Sequence, residues 1–183
     1  MSALALFDFD GTLTSKDTTG ILLVELLKLR PWRIIGVIWF IVRMILSYDS
    51  VVKQRYKNRA IGYLIIGLTD QQLSRPLKQF RNKVRALYRP SILNAIDKAV
   101  QRGCTVLIVT ASPTFAIAPC TSELPVSVLG TEFDKIESIY SGHLHGENCY
   151  GYEKVNRLYQ WAKSNNSQLN VESAWSDHFS DLD

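Results

Sequence analysis

The sequence predicts an α/β protein with a parallel sheet and a block of helices inserted after the first strand. A short apolar run opens the chain, and further apolar runs alternate with helical patterns after residue 88, as in parallel sheets whose strands are joined by helices. Between residues 17 and 87 the apolar residues instead recur every three or four positions. The 183 residues, of which 46% are apolar, are enough for one domain that carries an insertion.

The first strand is predicted at residues 3–9, ALALFDF, because this run is β-prone, is too short for a helix and is followed by Asp10 and Gly11. Side chains two residues apart in a strand share a face, so Asp8 and Asp10 are expected to point toward one place while Phe9 points away. The first strand therefore ends in a pair of carboxylates.

Four helices are predicted between residues 17 and 87, with breaks at Pro31 and at Tyr48–Asp49. Thr69, followed three residues later by Gln72, has the spacing of a capping box for the last of these helices.

Strands and helices alternate in the rest of the chain. The predicted elements, in order, are a helix at 91–103 closed by glycine, a buried strand at 104–110, a helix at 113–122, a short strand at 125–130, a hairpin in the glycine-containing segment 141–151, an amphipathic helix at 152–166 and a last strand at 170–177. We therefore assign residues 1–16 and 88–183 to a core domain and residues 17–87 to a helical domain inserted in it.

The composition indicates the cellular compartment of the protein and the charge of its binding partners. The three cysteines, an odd number without a CxxC pair, are expected to be reduced thiols in or near the core, as in a cytoplasmic protein. Strand-like residues begin at Ala3 with no charged segment before them, so no secretory signal is predicted. A net charge of +4 and a pI near 9.0 favour anionic partners, whether phosphorylated substrates, nucleic acid or an anionic membrane, and charge alone does not choose among them.

Chemically capable groups follow the three best buried strands. The first strand supplies Asp8 and Asp10 at its end, the next ends in Thr110, and the last supplies Asp177. Ligands of open α/β sheets sit at the carboxyl ends of the strands, so these groups are expected to meet. Two neighbouring carboxylates repel unless a cation lies between them, and Mg²⁺ prefers oxygen ligands of this kind. Taken alone, the DxD pair is explained equally well as a pair that caps a turn.

Four segments resemble the motifs of the haloacid dehalogenase (HAD) superfamily and occur in that family's order. DFDGTLT at 8–14 resembles the first motif, VTAS at 109–112 the second, Lys154 in GYEKVNRL the third and SDHFSDLD at 176–183 the fourth. The resemblance implies a Rossmann-like HAD core. The helices between the first two motifs are similar to the all-helical C1 cap of the phosphoserine-phosphatase-like branch, subfamily IB.

This resemblance implies a phosphatase that uses Mg²⁺ and forms an aspartyl-phosphate. Asp8 would be the nucleophile, and Asp10 would protonate the leaving oxygen and then activate water. Mg²⁺ would bind Asp8, the Asp10 carbonyl and Asp177. Asp181 would lie behind these ligands and orient a metal-bound water or Lys154.

The expected phosphate contacts are Thr110, Lys154 and backbone N–H groups such as that of Ala111. Lys154, near the start of its helix, opposes the helix dipole, which favours an anionic partner over an ordinary surface position. Asp17 sits where phosphoserine phosphatases carry a substrate-gripping glutamate, and its shorter side chain argues against an amino-acid substrate.

Three further polar side chains have alternative explanations and are left outside the site. Ser112 is expected to cap the helix that follows it. His143 and His145 have metal-like spacing, but no third ligand lies nearby in sequence, and alternate positions on a hairpin explain them.

The helical insertion contains a strongly apolar segment. From Ile34 to Leu46, thirteen residues carry one charge, that of Arg43. This segment is too short for a membrane span of about 20 residues. It is either a buried helix or a helix lying on an anionic membrane surface, where Trp32 and Trp39 would suit headgroup depth.

The sequence is also similar to HAD-type phosphatidylglycerophosphate phosphatases and their uncharacterised bacterial relatives, which favours a lipid or amphipathic phosphate and peripheral contact with the inner face of a membrane. One alternative is a soluble-metabolite phosphatase of the phosphoserine or histidinol-phosphate type, and another is a non-catalytic module that binds a membrane or a partner. No nucleic acid partner is expected, and the oligomeric state stays open. Arg55 and Arg59 are candidate contacts to a second phosphate or carboxylate. The chain ends two residues after Asp181, whereas related proteins continue, so we expect either a truncated sequence or a loosely held fourth motif.

Overall fold

The computed structural model describes residues 3–177; residues 1–2 and 178–183, and with them Asp181, lie outside the described part. The strands are β1 (Leu4–Phe7), β2 (Thr105–Pro113), β3 (Ser127–Thr131), β4 (Phe133–Ile136), β5 (Ile139–Leu144) and β6 (Val171–Trp175). The helices are α1 (Thr19–Leu27), α2 (Ile34–Leu46), α3 (Ser50–Ile65), α4 (Asp70–Arg85), α5 (Pro90–Gln101), α6 (Thr114–Thr121) and α7 (Tyr152–Ser164). The fold is α/β with a helical insertion, as the sequence predicts, while the division into two domains stays a prediction.

Four strands form a parallel sheet in the order β3-β2-β1-β6. Alternate residues of these strands face two apolar layers. Ala5 and Phe7 of β1 pack in the larger layer with α5, α6 and the insertion, whereas Leu4 packs with Leu158 and Trp161 of α7. β2 and β3 lie on one side of β1, and β6 lies on the other. The carboxyl end of β1 therefore opens at a crevice of the kind in which such sheets bind ligands.

The four helices predicted for residues 17–87 are present, and their ends follow local signals. A single 3-10 turn at Pro31–Arg33 separates α1 from α2. Asp49 caps α3 by accepting a hydrogen bond from the Val51 N–H at 2.7 Å. Thr69 and Gln72 form the predicted capping box at the start of α4.

The hairpin predicted in residues 141–151 is misplaced by the sequence reasoning. The antiparallel strands are β4 and β5, and the turn between them contains Glu137 and Ser138, with φ of 50° and 68°. The prediction was wrong because it followed glycines, whereas this turn puts two non-glycine residues in the left-handed region. β5 packs closely on α3 because Gly62 has no side chain: a Cβ there would lie 2.0 Å from the Gly142 carbonyl oxygen.

The apolar segment of the insertion lies mostly at the surface. Val37 is the buried residue of α2, whereas Ile35 is 79% exposed and Ile45 and Leu46 are each 69% exposed. The explanation of this segment as a buried helix is therefore wrong. Within residues 3–177, no helix has both the length and the apolar character needed to cross a bilayer.

Candidate active site

A cleft of about 550 Å³ opens at the carboxyl end of β1, between the sheet and the helical insertion. It is lined by all the predicted site residues within the described part of the chain: Asp8, Asp10, Asp17, Thr110, Ala111, Lys154 and Asp177. The fold thus brings together groups from the ends of β1, β2 and β6, from the first turn of α7 and from the segment leading to α1.

Asp8 and Lys154 face each other inside this cleft. The Asp8 N–H donates to the Trp175 carbonyl of β6 at 2.9 Å, which holds the residue at the end of β1. Lys154 Nζ lies 3.0 Å from Asp8 Oδ1, and both side chains are nearly nine-tenths buried. An ammonium at this position offsets the negative charge that a carboxylate presents to an approaching phosphate.

The Asp10 carboxylate is fixed by donors from both sides of the cleft. Oδ1 accepts from the Thr18 N–H at 2.7 Å and from the Thr18 hydroxyl at 2.8 Å, and Oδ2 accepts from the Ser112 hydroxyl at 2.5 Å. The prediction that Ser112 caps the next helix is wrong. β2 continues through Pro113, so Ser112 remains in the strand, and α6 begins without a side-chain cap.

Asp177 packs against the turn that follows Asp8. Its N–H donates to the Thr12 hydroxyl at 3.0 Å. Gly11 has φ of 80°, and a Cβ on it would lie 2.0 Å from Asp177 Oδ2. Glycine is therefore required at residue 11 twice, by the backbone conformation and by the approach of the carboxylate.

These residues fit a magnesium ion in their chemistry. The predicted ligands are the carboxylates of Asp8 and Asp177 and the carbonyl of Asp10, all oxygen donors, and Mg²⁺ takes few protein ligands and keeps several waters. The absence of a side chain at Gly11 is what lets the Asp177 carboxylate approach the Asp10–Gly11 segment. Within residues 3–177, no three His, Cys, Asp or Glu side chains lie close enough together to hold a metal ion. The predicted ligand set differs from such a cluster because it has two carboxylates and one backbone carbonyl.

Thr110 and Ala111 line the cleft from the carboxyl-terminal part of β2. The Thr110 side chain is buried, and its oxygen accepts from the Ser112 N–H at 3.1 Å, an arrangement that leaves its own O–H to donate to a ligand. The Ala111 carbonyl accepts from the Thr131 hydroxyl at 2.9 Å. The carboxyl-terminal part of β2 is thereby held in place at the cleft.

Asp17 is engaged by a cation that the sequence reasoning missed. Lys57 of α3, which is only 7% exposed, places Nζ 3.5 Å from Asp17 Oδ2, and the Thr19 N–H donates to Asp17 Oδ1 at 2.6 Å. Burial raises the pKa of Asp17, but the Lys57 charge and the bonds from Thr19 more than offset this, so the pKa lies below its ordinary value. Lys53 also lines the cleft, and its spacing of four residues from Lys57 is the signal that could have identified both.

Among residues 3–177, neither the cysteines nor the histidines contribute reactive groups to this cleft. The three cysteines are free and buried, as expected, and burial raises the pKa of Cys120 and of Cys149 to about 12, which disfavours a thiolate nucleophile. His145 Nδ1 contacts Asp134 Oδ1 at 2.6 Å, and neither His143 nor His145 lines the cleft.

Comparisons with known proteins agree with this architecture. The sequence profile of the haloacid dehalogenase-like hydrolases matches residues 5–183. Protein CicA of Caulobacter vibrioides is 32% identical over 164 residues, a match that covers 85% of this chain and 70% of CicA. Among solved structures, a protein of unknown function from Bordetella pertussis Tohama I is similar with a TM-score of 0.74 at 19% identity, covering 95% of this chain and 81% of that one. A substrate-bound phosphoserine phosphatase is similar with a TM-score of 0.62 at 16% identity, covering 100% and 80%.

These matches support the superfamily and the fold of its phosphoserine-phosphatase-like branch. They do not support the narrower resemblance to phosphatidylglycerophosphate phosphatases, which stays a hypothesis. The profile match over nearly the whole chain, together with the relationship to CicA, establishes that this protein is a member of the haloacid dehalogenase-like hydrolases.

Proposed function

We propose that this protein is a Mg²⁺-dependent phosphomonoester hydrolase that works through an aspartyl-phosphate. The observation that supports it best is the 3.0 Å contact between Lys154 Nζ and Asp8 Oδ1 in a cleft that also contains Asp10 and Asp177. A buried carboxylate beside an ammonium, at the carboxyl end of a central strand, suits in-line attack on a phosphate.

The reaction proceeds in two displacements. An Asp8 oxygen bonds to phosphorus while the bond to the ester oxygen breaks, and the protonated Asp10 carboxyl gives its proton to that oxygen. Asp10 then takes a proton from water, the water oxygen bonds to phosphorus, and the Asp8 carboxylate leaves with its electron pair. Thr110 and Lys154 hold the phosphoryl oxygens throughout. Mg²⁺, when bound, supplies additional positive charge for these oxygens.

The experiment is a comparison of p-nitrophenyl phosphate hydrolysis with Mg²⁺ by the wild type and Asp8→Asn. We expect kcat to fall at least about 10³-fold, since the variant retains the shape of the site but lacks the nucleophilic oxygen. Asp97→Asn, on the exposed face of α5, is the matched control and should keep the wild-type rate. Equal rates for Asp8→Asn and the wild type would favour the non-catalytic module instead.

We further propose that the substrate is a lipid or amphipathic phosphate, of which phosphatidylglycerophosphate is an example, met at the surface of an anionic membrane. The support comes from α2, whose outward face is apolar. Its large exposed side chains are Ile34, Ile35, Ile38, Trp39, Val42, Ile45 and Leu46. Exposed apolar surface of this extent is typical of interaction sites.

Charge favours an anionic bilayer over a second copy of this chain as the occupant of that face. Residues 26–69 contain eight Lys and Arg residues and one acidic residue, Asp49. The Arg43 guanidinium lies 5.2 Å from the centre of the Trp39 ring, so an aromatic and a cation are offered together. Two copies docked through α2 would bring like charges together, whereas anionic headgroups neutralise them.

A substrate panel separates the lipid proposal from its soluble alternative. We expect kcat/KM for phosphatidylglycerophosphate in anionic vesicles to exceed that for phosphoserine and histidinol phosphate by at least about 10-fold, or about 1.4 kcal/mol. The opposite order would replace the lipid proposal with the soluble-metabolite phosphatase while leaving the aspartyl-phosphate mechanism intact.

A further inference from the structure

A second cavity, of about 260 Å³, lies between α3 and β5 with the loop that follows it. Its polar lining consists of Arg55, Asn58 and Arg59 from α3 and His143, Glu147 and Asn148 from the other side. The cavity shares no lining residue with the cleft at Asp8. It is therefore a distinct polar space, on a neighbouring side of the same helix.

Asn58 is the unusual residue of this cavity. It is only 4% exposed, and neither its side-chain nitrogen nor its side-chain oxygen has a hydrogen-bond partner among the residues that the structure describes. Buried amides are nearly always paired because an unpaired one gives up its bonds to water without replacement. An amide left in this state points to a ligand that both accepts and donates, or to one with ordered water.

The charges beside Asn58 favour an oxyanion. Arg55 and Arg59 are one turn apart on α3, and within residues 3–177 neither guanidinium has a hydrogen bond or an ion pair. Arg59 is held over the Tyr56 ring, 5.8 Å from its centre. Glu147 is the one carboxylate in the lining. Two guanidiniums against one carboxylate leave a fork of donors suited to a phosphate or carboxylate group.

A second side-chain amide of α3 has an unpartnered oxygen on the side of the cleft. Gln54 lines the cleft, and its buried Oε1 has no partner among the described residues. Asn58 follows four residues later, about 6 Å along the helix. α3 thus lines both spaces and carries an unpartnered side-chain atom in each.

We propose that the cavity at Asn58 is a second oxyanion site, which binds the distal phosphate or carboxylate of a substrate whose phosphomonoester lies at Asp8. The identity of the bound group as part of the substrate rests on the proposed phosphatase function. A free oxyanion, such as inorganic sulfate or phosphate, has the same chemistry and is the other source. The two sources are separated by experiment.

The kinetic test compares 1,4-butanediol monophosphate with 1,4-butanediol bisphosphate. For Arg59→Gln we expect KM to rise about 10-fold for the bisphosphate alone, with kcat unchanged, because one charge-assisted contact to the distal group is lost. Asn58→Leu should behave in the same way, and the surface variant Arg59→Gln carries the test if Asn58→Leu does not fold. Arg75→Gln, which removes the same charge from the exposed face of α4, is the control.

A second readout is independent of catalysis. Inorganic sulfate should raise the Tm of the wild type and of Arg75→Gln, and this shift should shrink in Arg59→Gln. A smaller shift together with a KM effect confined to the bisphosphate supports the distal group of the substrate, and a smaller shift with no such KM effect supports a free oxyanion. If Arg59→Gln changes neither the sulfate-induced shift in Tm nor the KM for the bisphosphate, the proposed site is wrong, even if the enzyme is active. If Asp8→Asn equals the wild type in rate while the sulfate shift is lost in Arg59→Gln, the phosphatase proposal fails and the site remains.

Discussion

The Asp10 carboxylate accepts hydrogen bonds from side chains on both sides of the cleft. Thr18, which precedes α1, and Ser112, near the end of β2, donate to different oxygens of the same carboxylate. The orientation of the proposed acid therefore depends on the position of the helical insertion relative to the sheet. This arrangement makes Ser112 a positioning residue for the proposed reaction.

Ser112→Ala should lower kcat about 10-fold with little change in KM, since hydrogen bonds to charged groups contribute about 1.5–3 kcal/mol. Ser112→Thr, which restores a hydroxyl, should recover most of the rate. Ser122→Ala, at an exposed serine just after α6, is the control. If Ser112→Ala lowers Tm and leaves kcat at the wild-type value, the serine is only structural.

Gly11→Ala should weaken the response to Mg²⁺. The new Cβ meets Asp177 Oδ2, and the backbone is held at a φ of 80°, so the carboxylate must move and the turn is strained by about 1–2 kcal/mol. We expect the Mg²⁺ concentration for half-maximal rate to rise at least about 10-fold. Gly20→Ala, in α1 with open space around it, should instead keep the Mg²⁺ response and raise stability by about 0.5–1 kcal/mol. Identical Mg²⁺ titrations for the two variants would argue against Asp177 as a ligand.

Among the elements, α1 and α4 are joined by a buried charge. Glu25 of α1 is 1% exposed, and its carboxylate lies 2.7 Å from Lys28 Nζ and 2.7 Å from Lys83 Nζ of α4. Burial raises the pKa of Glu25, but the two lysines more than compensate, so the pKa lies below the ordinary value of 4.5. The ionised carboxylate therefore stabilises the packing of the insertion.

Glu25→Gln should cost about 2 kcal/mol of unfolding free energy at neutral pH, less than a fully buried pair because both lysines are half exposed. A carboxyl whose pKa is depressed by folding stabilises the protein above its unfolded pKa and loses this contribution as pH falls through the lower, folded value. The difference between wild type and variant in denaturant unfolding should thus be full above about pH 5 and shrink below about pH 4. A difference that does not change with pH would indicate a packing effect.

At the scale of the whole molecule, charge and apolar surface are concentrated on the helical insertion. The excess of cations in residues 26–69 is larger than the net charge of the chain, so the remainder is acidic overall. The apolar face of α2 lies inside this basic region. If the lipid proposal is right, this combination would orient the insertion toward an anionic surface.

Ile35→Glu should reduce co-sedimentation with phosphatidylcholine vesicles containing phosphatidylglycerol at least about 10-fold, because a charge replaces an apolar side chain at the interface. Hydrolysis of p-nitrophenyl phosphate should not change. Ile136→Glu, at an equally apolar exposed position in β4, is the matched control and should sediment like the wild type. Binding should also weaken as salt rises from about 0.1 M to about 1 M. Failure of the wild type to bind these vesicles, with dimers in sedimentation velocity that Ile35→Glu dissociates, would assign the face to a second copy.

The sequence by itself determined the order of the elements, the four helices of the insertion and the capping box at Thr69, because these depend on local spacing and on residues a few positions apart. It also predicted that Asp8, Asp10, Thr110 and Asp177 meet, because the carboxyl ends of parallel strands share one edge, and the resemblance to the HAD superfamily added Lys154 to them. Their catalytic and metal-binding roles remain predictions.

Tertiary structure alone decided the contacts made across long stretches of chain. The hydroxyl of Ser112 reaches Asp10, Lys57 neutralises Asp17, and the turn of the hairpin lies at Glu137 and Ser138. The exposure of α2 is likewise a feature that only the tertiary structure decides. Local patterns record which residues are apolar or charged, but which of them is covered, and by what, depends on how separate elements pack against one another.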